Sequence, residues 1–98
     1  MKLKSSQVRF LRQRAHHLKP VVQLGQQGLT DAVFAAIEEA LTGHELIKVR
    51  LPALPREEKG RLCLEIRERS GAVEVQRIGH ILVLYRPHPE RPQLELPA

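Results

Sequence analysis

Apolar positions along this chain alternate between two spacings, and each stretch of constant spacing predicts one element. Val8, Leu11, Ala15 and Leu18 recur at the helical period, which sets them on one face of a first helix that Ser5 or Ser6 can cap and Pro20 ends. Val21 to Leu24 is a short β-branched run, read as a strand. Leu29, Val33, Ile37 and Leu41 then repeat at helical spacing with Ala36 and Ala40 beside them, the clearest helix in the sequence. Thr30 is its expected N-cap, Asp31 complements its dipole, and Gly43 is its expected stop. From Glu45 to Leu51, Ile47, Val49 and Leu51 alternate with Lys48 and Arg50, as in a half-buried strand with a basic outer side. Beyond Pro52 and Pro55, residues Arg56 to Arg69 carry Leu62, Cys63 and Ile66 inward on a third helix stopped by Gly71. Ala72 to Ile78 and Ile81 to Tyr85 are two last strands, joined at Gly79-His80 in a tight hairpin.

The order αβαβαββ predicts an α/β domain of two layers, three helices on a four-stranded mixed sheet. Strand-helix-strand units favour parallel neighbours, and the final hairpin adds an antiparallel member. With 98 residues the chain holds one core, expected within residues 1–88. Four prolines from Pro87 onward leave no room for packed structure, so residues 89–98 are expected to form a surface tail. Phe10, Phe34 and Tyr85 are the only aromatic residues, so the core is aliphatic. Phe10 lies off the first apolar stripe, either covering the rim of that core or standing exposed as a stacking or packing residue. So few stacking platforms argue against an RRM-like sheet or an OB-type single-strand groove. The single cysteine, Cys63, excludes an internal disulfide and a multi-cysteine zinc site. No apolar stretch reaches the length of a membrane span, and Arg9, Arg12 and Arg14 stand where a signal peptide needs its hydrophobic centre, so a cytoplasmic location is expected.

Charge sharpens the picture. Lys2, Lys4, Arg9, Arg12, Arg14 and Lys19 occupy residues 1–30 without a single acid, whereas the rest of the chain carries ten basic against eleven acidic side chains. The net charge of +5 therefore originates in the first third. On the first helix Arg9, Arg12, Gln13 and His16 fall together, a basic stripe opposite the apolar one. Exposed helices usually mix both signs, so this asymmetry points to a polyanion partner. That segment leads straight into Gly25-Gln26-Gln27-Gly28, a glycine-bracketed loop opening on a helix N-terminus. Glycines let backbone approach a ligand closely, and the free N–H groups of a helix start favour anionic oxygens, phosphate above all. Asp31 opposes such an anion to some degree.

Enzymatic chemistry finds little footing. His16 and His17 point about 100° apart on a helix and cannot easily share a metal. His44-Glu45 has no third partner at a useful spacing, and Cys63 falls on an inward face, where a thiol is buried and inert. No catalytic residue, metal ligand or cofactor is assigned.

Four blocks in order carry a family resemblance: Leu18-Lys19-Pro20-Val21-Val22, the Gly25 to Gly28 loop with Leu29-Thr30, Glu45-Leu46-Ile47-Lys48-Val49, and Leu82-Val83-Leu84-Tyr85-Arg86-Pro87. Over about residues 3 to 88 the chain resembles the CRM domain (chloroplast RNA splicing and ribosome maturation), and in particular its free-standing bacterial YhbY-like members. The resemblance implies a fold similar to the C-terminal domain of translation initiation factor three and a G-x-x-G loop that contacts RNA much as in KH domains. It also implies a role with precursors of the large ribosomal subunit. Many relatives place a basic residue between the two glycines, whereas Gln26 and Gln27 can donate but supply no charge.

The expected RNA-contacting set is Gly25, Gln26, Gln27, Gly28, Arg9, Arg12, His16, Lys19, Lys48, Arg50 and Arg86. The chain is expected to be a monomer whose partner is ribosomal RNA or a pre-ribosomal particle, with no membrane and no small-molecule substrate. The competing reading is a protein-interaction module that docks an acidic ribosomal or assembly-factor partner on the basic helix.

Overall fold

A computed structural model describes residues 1–98. Helix α1 spans Ser5–Ala15, strand β1 Pro20–Gln23, helix α2 Asp31–His44, strand β2 Leu46–Arg50, helix α3 Arg56–Ser70, strand β3 Val73–Ile78 and strand β4 Ile81–Tyr85. The element order, the three helices and the single four-stranded mixed sheet bear out the α/β reading. Across the sheet the strands run β1-β2-β4-β3, so β1 and β3 are its edges. β1 and β2 are parallel, joined by α2 as a crossover, while β4 is antiparallel to both β2 and β3.

The layering differs from expectation. Ile47, Val49, Leu82 and Leu84 pack with Ile37 and Leu41 of α2 and with Leu62 and Ile66 of α3. Leu46, Val83 and Tyr85 face the other way and pack with Leu11 and Ala15 of α1. The sheet is therefore sandwiched, α1 on one face and α2 with α3 on the other, in three layers instead of two. A strand covered on one face alternates in polarity, whereas Ile81-Leu82-Val83-Leu84-Tyr85 does not; such an unbroken apolar run belongs to a strand covered on both.

Helix ends also depart from the sequence reading. At the start of α1 the Gln7 side chain accepts a hydrogen bond from the Lys4 backbone N–H at 2.9 Å, so neither Ser5 nor Ser6 is the cap. The helix stops at Ala15, where the His16 N–H is shared between the Arg12 and Gln13 carbonyls at 3.1 and 3.3 Å, a tightened last turn. Leu18 consequently leaves the apolar stripe and is 38% exposed. Phe10 is half-buried at the edge of the α1-side cluster, under the Arg14 guanidinium at 5.2 Å.

At α2 the expected cap is present, Thr30 Oγ1 accepting from the Val33 N–H at 3.2 Å. The helix runs past Gly43 to His44, and the chain reverses at Glu45 with φ 64°. A positive φ in so sparsely populated a backbone region costs an ordinary residue about 1–3 kcal/mol. The Glu45 side chain offers the compensation. It is 2% exposed, with Oε2 accepting from the His88 N–H and Oε1 from the Gln93 and Leu94 N–H groups at 2.9 Å each. Burial by itself raises a carboxyl's pKa, but these backbone donors, with a smaller contribution from the charge of His88, outweigh it and hold Glu45 below the usual carboxylate range.

Residues 89–98 form no helix or strand and stay largely exposed, yet they are anchored to the domain. Leu94 and Leu96 lie against the α1-side cluster, and Gln7 Nε2 donates to the Pro97 carbonyl at 3.0 Å. Prolines preclude regular structure but not docking, because the tail's N–H groups find their acceptor in Glu45.

Candidate nucleic-acid interface

Strand β1 hands the chain to the glycine turn beside the end of β2, where the Leu24 N–H donates to the Arg50 carbonyl at 2.9 Å. Gly25 to Gly28 then close a turn, the Gly28 N–H donating to the Gly25 carbonyl at 3.0 Å. The two glycines have different reasons. Gly28 has φ 75°, a conformation that disfavours any side chain. Gly25 has no such φ, and a Cβ there would meet nothing within 4 Å, so neither backbone nor packing within the chain demands it. Gln26 and Gln27 are exposed at the tip, and their N–H groups, with those of Asp31 and Ala32 at the start of α2, make no hydrogen bond within the chain. The Asp31 carboxylate lies 3.7 Å from Arg69, whose guanidinium also stacks over Phe34 at 4.3 Å. Arg69 thus offsets part of the negative charge beside the turn.

On the α1 face of the sheet, Arg12 and His16 meet Lys48 around a groove of about 480 Å³. Arg9 is exposed one turn earlier on the same helix stripe as Arg12. Lys48 and Arg50 share one face of β2, since side chains two apart along a strand point the same way. Register carries that line to the turn: Lys48 pairs with Pro20, Arg50 pairs with Gln23, and Lys19 shares a hollow with Arg50. The opening helix and the glycine turn are therefore linked across β2 by Lys48 and Arg50.

No acid within the chain neutralises the basic side chains along this strip. Arg9, Arg12, His16, Lys19, Lys48 and Arg50 take no part in any ion pair or side-chain hydrogen bond. By contrast Arg67, Arg69 and Arg77 face Glu74 or Asp31.

Arg86 does not belong to the set in which the sequence reading placed it. Its Nη1 lies 2.9 Å from both Glu38 carboxylate oxygens and donates to the Ser70 carbonyl at 2.7 Å. It follows Tyr85, which pairs with Leu46 at the end of the sheet away from Arg50. Arg86 is a clamp between β4, α2 and the end of α3. Its charge made it a candidate, and its partners, distant in sequence, were invisible there.

Residues the sequence reading did not select also line the groove, among them Gln76, Ile78, Ile81 and Val83. Ile78 could have been suspected as the last apolar residue before a hairpin turn. Gln76 depends on an irregularity in β3 with no sequence signal.

The catalytic and metal candidates do not assemble. The His16 and His17 rings meet edge to face at 5.1 Å, and no group of three or more His, Cys, Asp or Glu residues is arranged to hold a metal. Cys63 is fully buried, and burial pushes its thiol pKa up, away from reactivity at neutral pH. No helix is long and apolar enough to cross a membrane.

The chain is similar to known proteins along nearly its whole length. The CRS1 / YhbY (CRM) domain matches residues 3–86. An "RNA-binding protein" of Haemophilus influenzae is 50% identical over 95 residues, covering 97% of this chain and 95% of its own. The "Probable RNA-binding protein YqeI" of Bacillus subtilis is 41% identical over 95 residues, covering 97% and 99% respectively. A solution structure of a Staphylococcus aureus protein described as a candidate RNA binder superposes with a TM-score of 0.83 at 33% identity, covering 98% of this chain and 100% of that one.

Proposed function

The chain belongs to the CRS1 / YhbY (CRM) domain family, and from that premise we propose that it binds RNA through the backbone, using the glycine turn and the basic strip from α1 across β2. The observation that carries this reading is the set of uncompensated cations Arg12, Lys19, Lys48 and Arg50, with the imidazole of His16 beside them, running from the opening helix to the Gly25 to Gly28 turn. Phosphates supply what these groups lack, and the exposed N–H groups of Gln26, Gln27, Asp31 and Ala32 are suited to anionic oxygens. Gly25, open on its Cα side, allows a sugar-phosphate chain to approach closer than any side chain would.

The RNA we propose is unfinished large-subunit ribosomal RNA in the cytoplasm, the partner that the YhbY-like resemblance implies. Bound early, the protein holds a local RNA fold until later components replace it. Crosslinking in cells followed by sequencing of the attached RNA tests this assignment; recovery of scattered messengers instead of large-subunit RNA defeats it.

The docking of an acidic protein on the basic helix has one observation in its favour: Leu18 and Val21 are exposed beside Arg14 and Lys19 around a shallow hollow. Replacing Gln26 and Gln27 with Asp separates the two readings. RNA held at the turn loses affinity at least about ten-fold, since two carboxylates now face phosphates. A protein docked on α1 is unaffected, and retention of full RNA affinity by this variant would remove the turn from the interface.

A further inference from the structure

The groove between α1 and the β3–β4 hairpin has more in it than phosphate binding needs. Its floor is aliphatic, formed by Ile81, Val83 and the 60% exposed Ile78. Its rim carries two carboxamides, Gln13 from α1 and Gln76 from β3, beside the cations Arg12 and Lys48 and the imidazole of His16. None of these five polar side chains has a hydrogen-bond or ion-pair partner within the chain, and no acid lines the groove.

The presence of Gln76 there depends on a break in β3. Glu74 pairs with Leu84, whose side chain packs toward α2 and α3, so regular alternation sends the residue two positions on to that same face. The register shifts between Glu74 and Gln76, and Gln76 pairs with Val83 on the α1 face instead. Bulges commonly re-aim a side chain beside a functional site. Here the bulge brings an amide to an aliphatic floor already flanked by a second amide.

We propose that this groove seats one unstacked RNA base, its face on Ile78 and Ile81 above the buried Val83 and its edge read by Gln13 and Gln76. Resting on the RNA-binding reading above, it adds base readout to backbone contact. A base is flat and apolar on its faces and polar at its edge, and the groove has that same division. Each carboxamide offers both a donor and an acceptor, the combination that recognises adjacent donor and acceptor groups such as those of adenine. Arg12 and Lys48 neutralise the flanking phosphates. The volume, about 480 Å³, falls within the range of about 300–1,000 Å³ usual for small-ligand sites. With no aromatic side chain in the lining, retention depends on burial and edge hydrogen bonds instead of stacking.

The test measures fluorescence anisotropy of the full chain with eight-nucleotide oligo(A), oligo(U) and oligo(C), and with an abasic ribose-phosphate oligomer of the same length. Wild type is expected to bind oligo(A) about ten-fold more tightly than the abasic oligomer, the effect of one well-made edge contact. In the Q13A/Q76A variant that preference falls to within about two-fold while abasic binding is unchanged. Both side chains are at the surface, and a thermal melt by circular dichroism verifies folding. I78S, altering an exposed floor residue, lowers the oligo(A) preference in the same direction. R12A/K48A instead weakens every oligomer, abasic included. The proposal is overturned if wild type binds the abasic oligomer as tightly as the others, or if Q13A/Q76A keeps its preference. Failure of wild type to bind any oligomer would remove the RNA-binding reading itself.

Discussion

Replacing Glu45 with Gln tests how the tail is held. In the native protein one buried carboxylate accepts three backbone N–H groups, from His88 at one oxygen and from Gln93 and Leu94 at the other. A glutamine keeps one oxygen for Gln93 and Leu94, now uncharged, and turns its NH₂ toward the His88 N–H, donor against donor. A hydrogen bond to a charged group contributes about 1.5–3 kcal/mol and a neutral one about 1 kcal/mol, so two weakened bonds and one lost come to about 2.5 kcal/mol at the lower end of that range. For a domain of this length that lowers Tm by about 10–20 °C. Because the folded-state pKa of Glu45 is lowered, its contribution is full above the ordinary glutamate value near 4.3 and is lost as pH falls through the folded value. Wild type and E45Q are therefore expected to differ at pH 7 and converge in acid. Urea denaturation of both, with and without residues 88–98, completes a double-mutant cycle in which the cost of E45Q falls below about 1 kcal/mol once the tail is gone. An E45Q stability within about 0.5 kcal/mol of wild type at pH 7, or an equal cost in both backgrounds, refutes the latch.

Arg86→Ala leaves Glu38 without its partner and the Ser70 carbonyl without a donor, and is expected to cost about 2–3 kcal/mol in urea denaturation with RNA affinity unchanged. Gly28→Ala is expected to lose about 1–2 kcal/mol from its positive φ, whereas Gly25→Ala, which meets no atom, leaves stability within about 0.5 kcal/mol and lowers RNA affinity through the blocked approach. An unchanged affinity for Gly25→Ala argues against close backbone contact at the turn. If about four phosphates of single-stranded RNA are neutralised, log affinity falls against log salt with a slope near −3, and Lys48→Ala reduces its magnitude by about 0.7, measured by titration across salt concentrations. Cys63 is expected to resist a thiol reagent at pH 8 in the native protein and to react on unfolding, followed as released chromophore.

Much of the fold was readable because local signals and packing agree. The Leu29 to Leu41 periodicity and the Thr30 cap placed α2, and Gly79 placed the hairpin turn. The sequence reading failed where a tertiary contact decides. Gly43 has the chemistry of a helix stop, yet the reversal occurs at Glu45, whose positive-φ backbone is retained alongside tail bonds more than forty residues away. The layer count was legible in the unbroken apolar run of β4, whereas the element order from which two layers were expected does not say on which face a helix packs. At the candidate interface, charge count and helical phase located Arg12, His16 and Lys48 in one groove. Charge count also put Arg86 there, since a sequence states that an arginine is present but not that an acid awaits it. Gln76 was out of reach, because a bulge is a property of the pairing and not of the residues in one strand.

The two outer strands each interrupt what would otherwise be an open template for another chain. β1 is four residues long and begins at a proline, which has no N–H to offer; β3 is kinked by its bulge at Val75. Short, proline-bearing or bulged rims discourage strands of neighbouring molecules from adding on. A protein that gathers on a long polyanion is concentrated there many-fold, the circumstance in which sheets fuse into aggregates. Such rims disfavour edge-to-edge addition of copies without drawing on the basic side chains of α1 and β2.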